Sequence, residues 1–417
     1  MPKAAPRLAG TIVRKEIVAN LLSYKFFIVI GLTSLLIFTG LFVMARDYKG
    51  RLADYDLIKP KPGDPIAVLA PNPLSVLAKG LDEAMTRSFE VESIGIEVRA
   101  GRQSGNAVFA FFPAPDFVYI VKVVLSLVAL LFGFDQISRE REGGTLKLIL
   151  SNPVSRAAVL AGKWLGNFLT LAVPFLIVTL LGLAVLALDP GFRLREGDAG
   201  RLALLLGICL AYIALFLSLG FLISATTRRS ASTLVILLLI WAGMVFVLPN
   251  LGTLLARQIV DVPSIRSLHE KRQQIWTREV LLSIADRSTW DARIQSMNEE
   301  FDRLTEDYRM KFDRLVRLSK NLNRLSPAAS FVYAATEVAG TGIGEEGRLK
   351  QEIVRYKNRV LEDNRLGRKD RAAFSYRYRP AGRVLAEGGL FDIAWLVVLN
   401  IVLFAAGYAA VVRYDVR

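Results

Sequence analysis

The chain has one cysteine and one histidine in 417 residues. A lone Cys209 excludes an intrachain disulfide, so any domain outside a membrane must hold together by packing alone. The same scarcity argues against the usual zinc sites, which are built from several Cys and His ligands. The six methionines are scattered and offer no conduit for copper. No G-x-x-x-x-G-K-[ST] occurs, so the chain has no loop to cradle ATP itself. Ala161-Gly-Lys-Trp164 lacks the leading glycine and the Ser/Thr. Gly342-Ile-Gly-Glu-Glu-Gly347 spells G-x-G-x-x-G, but no strand–helix unit surrounds it, and it reads as a flexible turn. His269 stands among charged residues with no nucleophile motif nearby, and reads as a solvated helix residue. The expected catalytic, cofactor-binding and metal-ligating sets are therefore empty.

Apolar residues are plentiful. They make up 53% of the chain, and the mean hydropathy is +0.38. Soluble chains sit near about 45–50% apolar, so long apolar runs are implied. Lys and Arg exceed Asp and Glu by 15, which suits a protein lying against anionic headgroups. Nucleic acid is the rival partner for a basic chain, but no nucleic-acid motif accompanies the charge.

Six runs are long enough to cross a bilayer, which takes about 20 residues. They lie at 26–45, 116–134, 164–187, 202–224, 231–250 and 391–412. Short basic flanks set orientation. The N-terminal arm, the 135–163 loop, the Arg228-Arg229 turn and the 413–417 tail carry them and fall on one side, read as cytoplasmic. Both termini are then inside, and 46–115 and 252–390 are extracytoplasmic. Within residues 1–25, Leu8, Ile12, Ile17 and Leu21 share a helical face, with Arg14, Lys15 and Asn20 away from it. This predicts an amphipathic helix in the cytoplasmic interface. Lys122, near the outer end of the second run, is either a snorkelling lysine or a cargo contact.

The 46–115 segment reads as a small α+β cap, with a helix from Leu74 to Phe89 and a short strand from Glu92 to Arg99. In 252–390, apolar residues recur at steps of three and four: Ile294, Met297, Phe301, Leu304, Tyr308, Phe312, Leu315, Leu318 and Leu322. That is a coiled-coil-like seam on a long helix. Leu349, Ile353, Tyr356 and Val360 repeat the pattern on a shorter returning helix. The seam packs either on that returning helix or on a second protomer or periplasmic partner. The fold class expected is an all-α integral membrane protein with six spans and a large, mainly helical extracytoplasmic domain.

The most patterned short stretch is 134–166. Arg139, Glu140, Arg141 and Glu142 follow a span, and Gly143-Gly144 then opens a short helix with Leu146, Ile149 and Leu150 on one side. Asn152-Pro153 stops it, and Ser155-Arg156 starts a helix running through Lys163 into the next span. Acid-rich cluster, Gly-Thr-Leu, apolar helix, Pro-Val-Ser-Arg and Gly-Lys together resemble the coupling-helix loop of ABC exporter permeases of the ABC-2 type. Pro73-Leu-Ser-Val-Leu-Ala-Lys-Gly-Leu81, Ser326-Pro-Ala-Ala-Ser-Phe and Ala339-Gly-Thr-Gly342 resemble that family too. The resemblance implies a permease without ATPase activity of its own. Two separate ATP-binding subunits would hold ATP and Mg, and a second permease, identical or homologous, would complete the transporter in a bacterial inner membrane. It also implies that Glu140, Arg141, Glu142, Thr145, Leu146, Ile149 and Leu150 couple to the ATPase. The long seam motivates an alternative: a mechanotransmission or anchoring subunit that passes ATP-driven motion to a periplasmic partner.

Overall fold

The structure, a computed structural model, describes residues 5–92, 95–99, 115–145, 155–285, 288, 290–368 and 370–413. Six helices are long and apolar enough to cross a membrane: α2 (Tyr24–Ile58), α3 (Phe117–Glu142), α4 (Arg156–Ala187), α5 (Asp198–Thr226), α6 (Ser230–Ile259) and α11 (Ala381–Val412). The remaining long helices are α1 (Ala5–Leu21), α7 (Ile265–Ala285), α8 (Trp290–Asn323), α9 (Pro327–Ala339) and α10 (Ile343–Arg365). This is an all-α membrane protein with one small sheet among the described residues.

Local signals set several helix starts. Ser23, Asp116 and Ser155 each accept a hydrogen bond from a backbone N–H three residues on, at α2, α3 and α4. α2 runs past the apolar run that ends at residue 45, because Arg46 to Arg51 leave the apolar zone without breaking the helix. Arg51 is then anchored by Asp47 and Asp82. α4 continues through Pro174. Five-residue π-turns interrupt three spans, at Val121–Leu125, Gly243–Val247 and Leu385–Gly389.

Two compact units make up the chain. The larger comprises Met1–Val245 and Ser330–Arg417. Its centre is α5, where Cys209, Tyr212, Ile213, Leu215, Phe216 and Leu217 are fully buried. Gly133 and Gly220 bring α3 and α5 together, since a Cβ on Gly220 would lie 3.0 Å from the Gly133 Cα. Small residues let membrane helices approach this closely. Ser218 Oγ donates to Asn400 Oδ1 (2.8 Å) and accepts from Trp164 Nε1 (3.0 Å), joining α5, α11 and α4.

The cap belongs to this unit. β1 (Ile66–Ala67), β2 (Ser88–Glu92) and β3 (Gly95–Arg99) form an antiparallel sheet in that order, with Ala67 opposite Phe89 and Phe89 opposite Val98. A continuous helix from Leu74 to Phe89 is not formed. A 3-10 turn at Pro73–Val76 and a helical turn at Asp82–Met85 replace it. Gly80, at φ 47°, breaks the run, and a Cβ there would meet the Thr341 carbonyl oxygen at 2.5 Å. Leu349, Ile353, Tyr356 and Val360 of α10 are buried, but with Ala67, Leu69, Met85 and Phe374 of the cap. The cap supplies the apolar partner that the sequence reading sought for α10 in the seam.

The smaller unit, Phe246–Ala329, contains the end of α6, α7 and α8. α8 packs on α7 and on Leu248–Ile259 of α6. Met297 and Phe301 are buried, while Ile294, Leu304, Tyr308, Leu315, Leu318 and Leu322 are half-buried and Phe312 is 39% exposed. The seam is thus covered most fully at its N-terminal end.

Candidate coupling site

The apolar run of α3 ends in a turn at residues 134–137, followed by the helical turn Ser138–Glu142. Ser224 Oγ, near the end of α5, holds that turn by accepting from the Ile137 and Ser138 N–H groups, both at 3.0 Å. The three charges that follow each serve a different helix. Arg141 donates to the Ala225 and Thr227 carbonyls at 3.0 and 2.9 Å, where the C-terminal dipole of α5 favours a cation. Glu142 Oε2 accepts from Ser230 N–H (3.2 Å) and Oγ (3.1 Å) at the N-terminus of α6, where a carboxylate is favoured. Glu140 Oε1 lies 2.6 Å from Lys163 Nζ of α4.

Lys163 is almost fully buried and shared. Glu16 of α1 is 3.4 Å away, and the Gln136 carbonyl accepts from the same amine at 3.3 Å. One turn further, Asn167 Oδ1 accepts from Asn20 (2.9 Å) and Gln136 (3.2 Å). Gly166 permits this approach, since a Cβ there would sit 2.7 Å from the Glu16 Cβ. α1 therefore turns Glu16 and Asn20 toward α4 and leaves Val18 and Leu21 exposed. The physical reason is Lys163: a buried cation needs a carboxylate more than it needs an apolar neighbour.

On the far side of the loop, Arg156 Nη1 donates to the Val411 and Val412 carbonyls at 3.2 and 2.5 Å, at the C-terminus of α11. The flanks of the loop thus touch α1, α4, α5, α6 and α11. Arg139 is 80% exposed, and Thr145 is exposed, its hydroxyl donating to the Glu140 carbonyl at 3.3 Å. Gly144 takes φ 71°, the turn that only glycine makes easily. Leu146, Ile149 and Leu150 lie outside the described residues. Glu16, Lys163 and Arg156 were not among the residues expected to couple, though Glu16 is the only acid in the first 24 residues and Lys163 sits in the quoted Gly-Lys.

The other quoted patches also meet. Asn72 Nδ2 donates to the Ala339 carbonyl (2.8 Å), Thr341 Oγ1 to the Ala78 carbonyl (2.8 Å), and Leu81 N–H to the Thr341 carbonyl (2.8 Å). Beside this joint, Glu345 is 1% exposed. Burial pulls its pKa upward, but hydrogen bonds from Arg348, Tyr376 and Arg379 outweigh that and hold it below the ordinary value. Arg379 also pairs with Glu387 at 2.6 Å. Lys122 lies in the first π-turn with its amine 4.8 Å from the Tyr119 ring centroid, a cation–π contact.

Residues 11–416 match the family described as ABC-2 family transporter protein. The chain belongs to that family. It is also 33% identical over 158 residues to "Probable ABC transporter permease protein NosY" of Pseudomonas aeruginosa, covering 36% of this chain and 55% of that one. A protein of the same name from Stutzerimonas stutzeri is 29% identical over 170 residues, covering 39% of this chain and 60% of that relative. The chain spans little more than half the length of these relatives. Membership in the ABC-2 family and six long apolar helices together make this a multi-pass membrane protein of the ABC permease type.

Proposed function

We propose that the chain is the permease subunit of an ATP-driven exporter, coupled through the 139–152 loop to separate ATP-binding subunits. The observation that supports it is the loop's anchorage. Arg141, Glu142, Glu140 and Arg156 tie its two flanks to the ends of α5, α6, α4 and α11. A push on the loop would reach four spans and α1 at once. Two ATP-binding subunits, holding ATP and Mg, would dock on it. A second copy or a homologous permease would complete the assembly in the bacterial inner membrane, with both termini cytoplasmic and 46–115 and 252–390 outside. The substrate is an unidentified molecule, and Lys122 is the cargo contact to test first.

Arg141 and Glu142 act as the fixed base of the loop in this reading, Glu140 ties it to α4, and the apolar face of Leu146, Ile149 and Leu150 makes the docking contact. Each buried leucine contributes about 1.5–3 kcal/mol. Leu146→Asp with Leu150→Asp should therefore weaken assembly by about two or more orders of magnitude. Co-purification of the ATP-binding subunit with this double variant measures it. Glu142 is left intact, because replacing it would also uncap α6. Normal capture and normal coupled ATP turnover would refute the assignment.

The 34-residue α8 favours a second reading, in which ATP-driven motion passes to a partner outside and no cargo crosses the spans. A nucleotide-trapped structure separates the two. A cavity between permease subunits supports export, and closely packed spans with a partner at α8 support transmission.

A further inference from the structure

α8 carries a segregated charge. From Trp290 to Asp307 six acids (Asp291, Glu299, Glu300, Asp302, Glu306, Asp307) face two arginines, Arg293 and Arg303. From Tyr308 to Arg324 the sense reverses: Arg309, Lys311, Arg314, Arg317, Lys320 and Arg324 accompany one acid, Asp313. The acidic half has basic partners in its own unit, among them Arg278, which pairs with Glu300 at 2.5 Å. In the basic half, Arg314 and Arg317 are exposed and have no ion pair among the described residues.

The basic half is fixed beside the end of a membrane-spanning helix. Asn323 Nδ2 donates to Thr253 Oγ1 of α6 at 3.2 Å. Gly252 is needed there, because a Cβ would fall 2.1 Å from Asn323 Oδ1. Leu248–Ile259 of α6 packs on α8, and Gly252 meets it at Asn323, within about two turns of Arg317. On its other face α6 presents Leu251, Leu254, Leu255 and Ile259, a stripe at helical spacing that is 43–67% exposed. Arg257, also exposed and without an ion pair among the described residues, stands in the same stretch.

We infer that this joint binds anionic phospholipid, with acyl chains along the leucine stripe and headgroup phosphates against Arg257, Arg314 and Arg317. An apolar stripe continuing a span, bordered by cations with long stems, is the chemistry of an interfacial lipid site. A purely solvated basic face would not need the stripe. A second α8 lying parallel would oppose basic half to basic half, which disfavours a second copy as the occupant. The segregation also keeps the acidic half away from the headgroups.

Hydrogen–deuterium exchange of the full-length protein tests this in nanodiscs of phosphatidylcholine alone or with added phosphatidylglycerol. Residues 309–324 should exchange at least about fivefold more slowly with the anionic lipid, on the scale of one engaged cation. Residues 291–307 should not change. The variant Arg257→Gln/Arg314→Gln/Arg317→Gln should lose the difference, and the corresponding Arg→Lys variant should keep it. Equal exchange in both lipids overturns the inference, as does an unchanged difference in the Gln variant. So does an equal effect of inorganic phosphate added to phosphatidylcholine discs, which would assign the site to free anions.

Discussion

Two clusters in the larger unit bury carboxylates among cations, and they are built differently. At Glu345, three side chains serve one acid: Arg348, Tyr376 and Arg379 bond both of its oxygens. At Lys163 the ratio is inverted, with one amine shared between Glu140 and Glu16, which come from two separate helices. The first arrangement over-determines its geometry and makes a rigid joint. The second lets one carboxylate strengthen its hold on the amine as the other loosens.

The largest effect that would test this contrast comes from Glu345→Ala. Removing the acid takes from Arg348 and Arg379 their shared buried partner, leaving Arg379 with Glu387, and breaking a buried pair costs at most about 3–5 kcal/mol. Thermal unfolding of the purified protein should show it, with proteolysis of the cap as the local readout. The pH dependence follows from the depressed pKa of Glu345. A carboxylate held below its unfolded value stabilises the fold above about its ordinary pKa of 4.5, and that contribution is lost as pH falls below it. The deficit of Glu345→Gln should therefore be largest at neutral pH and shrink in acid. A deficit that is flat with pH would show the network to be mere packing.

Next in size is Lys163→Met. It leaves Glu16 and Glu140 facing each other without the cation and should cost about 3 kcal/mol or somewhat less, because α1 can lift away. The distinguishing measurement is rescue: adding Glu16→Gln should recover most of the loss and reseat α1, read by exchange protection of residues 10–21. If Glu16→Gln restores nothing, Lys163 is not contested and the comparison fails. The smallest effect is that of Glu142→Gln, which weakens one carboxylate cap at α6 by about 0.3–1 kcal/mol. A loss several times larger would mean that Glu142 does more than cap.

The six spans were legible because twenty apolar residues in a row have few other uses. What the sequence hid was pairing. Nothing local in residues 1–25 says that Glu16 will face inward, since the reason lies at Lys163, on another helix. The seam and α10 share a heptad-like spacing, but spacing names only the face to be buried and not its partner. Leu349 to Val360 found the cap, whose sheet the alternation in 92–99 only partly revealed. The charged stretch 139–142 is plain in the sequence, but Arg141 and Glu142 bond helix ends whose proximity no linear pattern shows. The motif patches at 73–81 and 339–342 were visible as motifs, and their shared hydrogen bonds explain why both carry glycines.

That last joint has a consequence for biosynthesis. The cap's first half, with Ala67, Leu69 and Met85, precedes five of the six spans in the chain. Its second half, with Leu349, Ile353, Tyr356, Val360 and Phe374, comes only after the fifth. Until then the sheet has no α10 to cover it, and Gly80 has no Thr341 to meet. The cap therefore closes only after the fifth span is made. A chain stalled after residue 330 would lack α10 and leave Ala67, Leu69 and Met85 without their apolar cover.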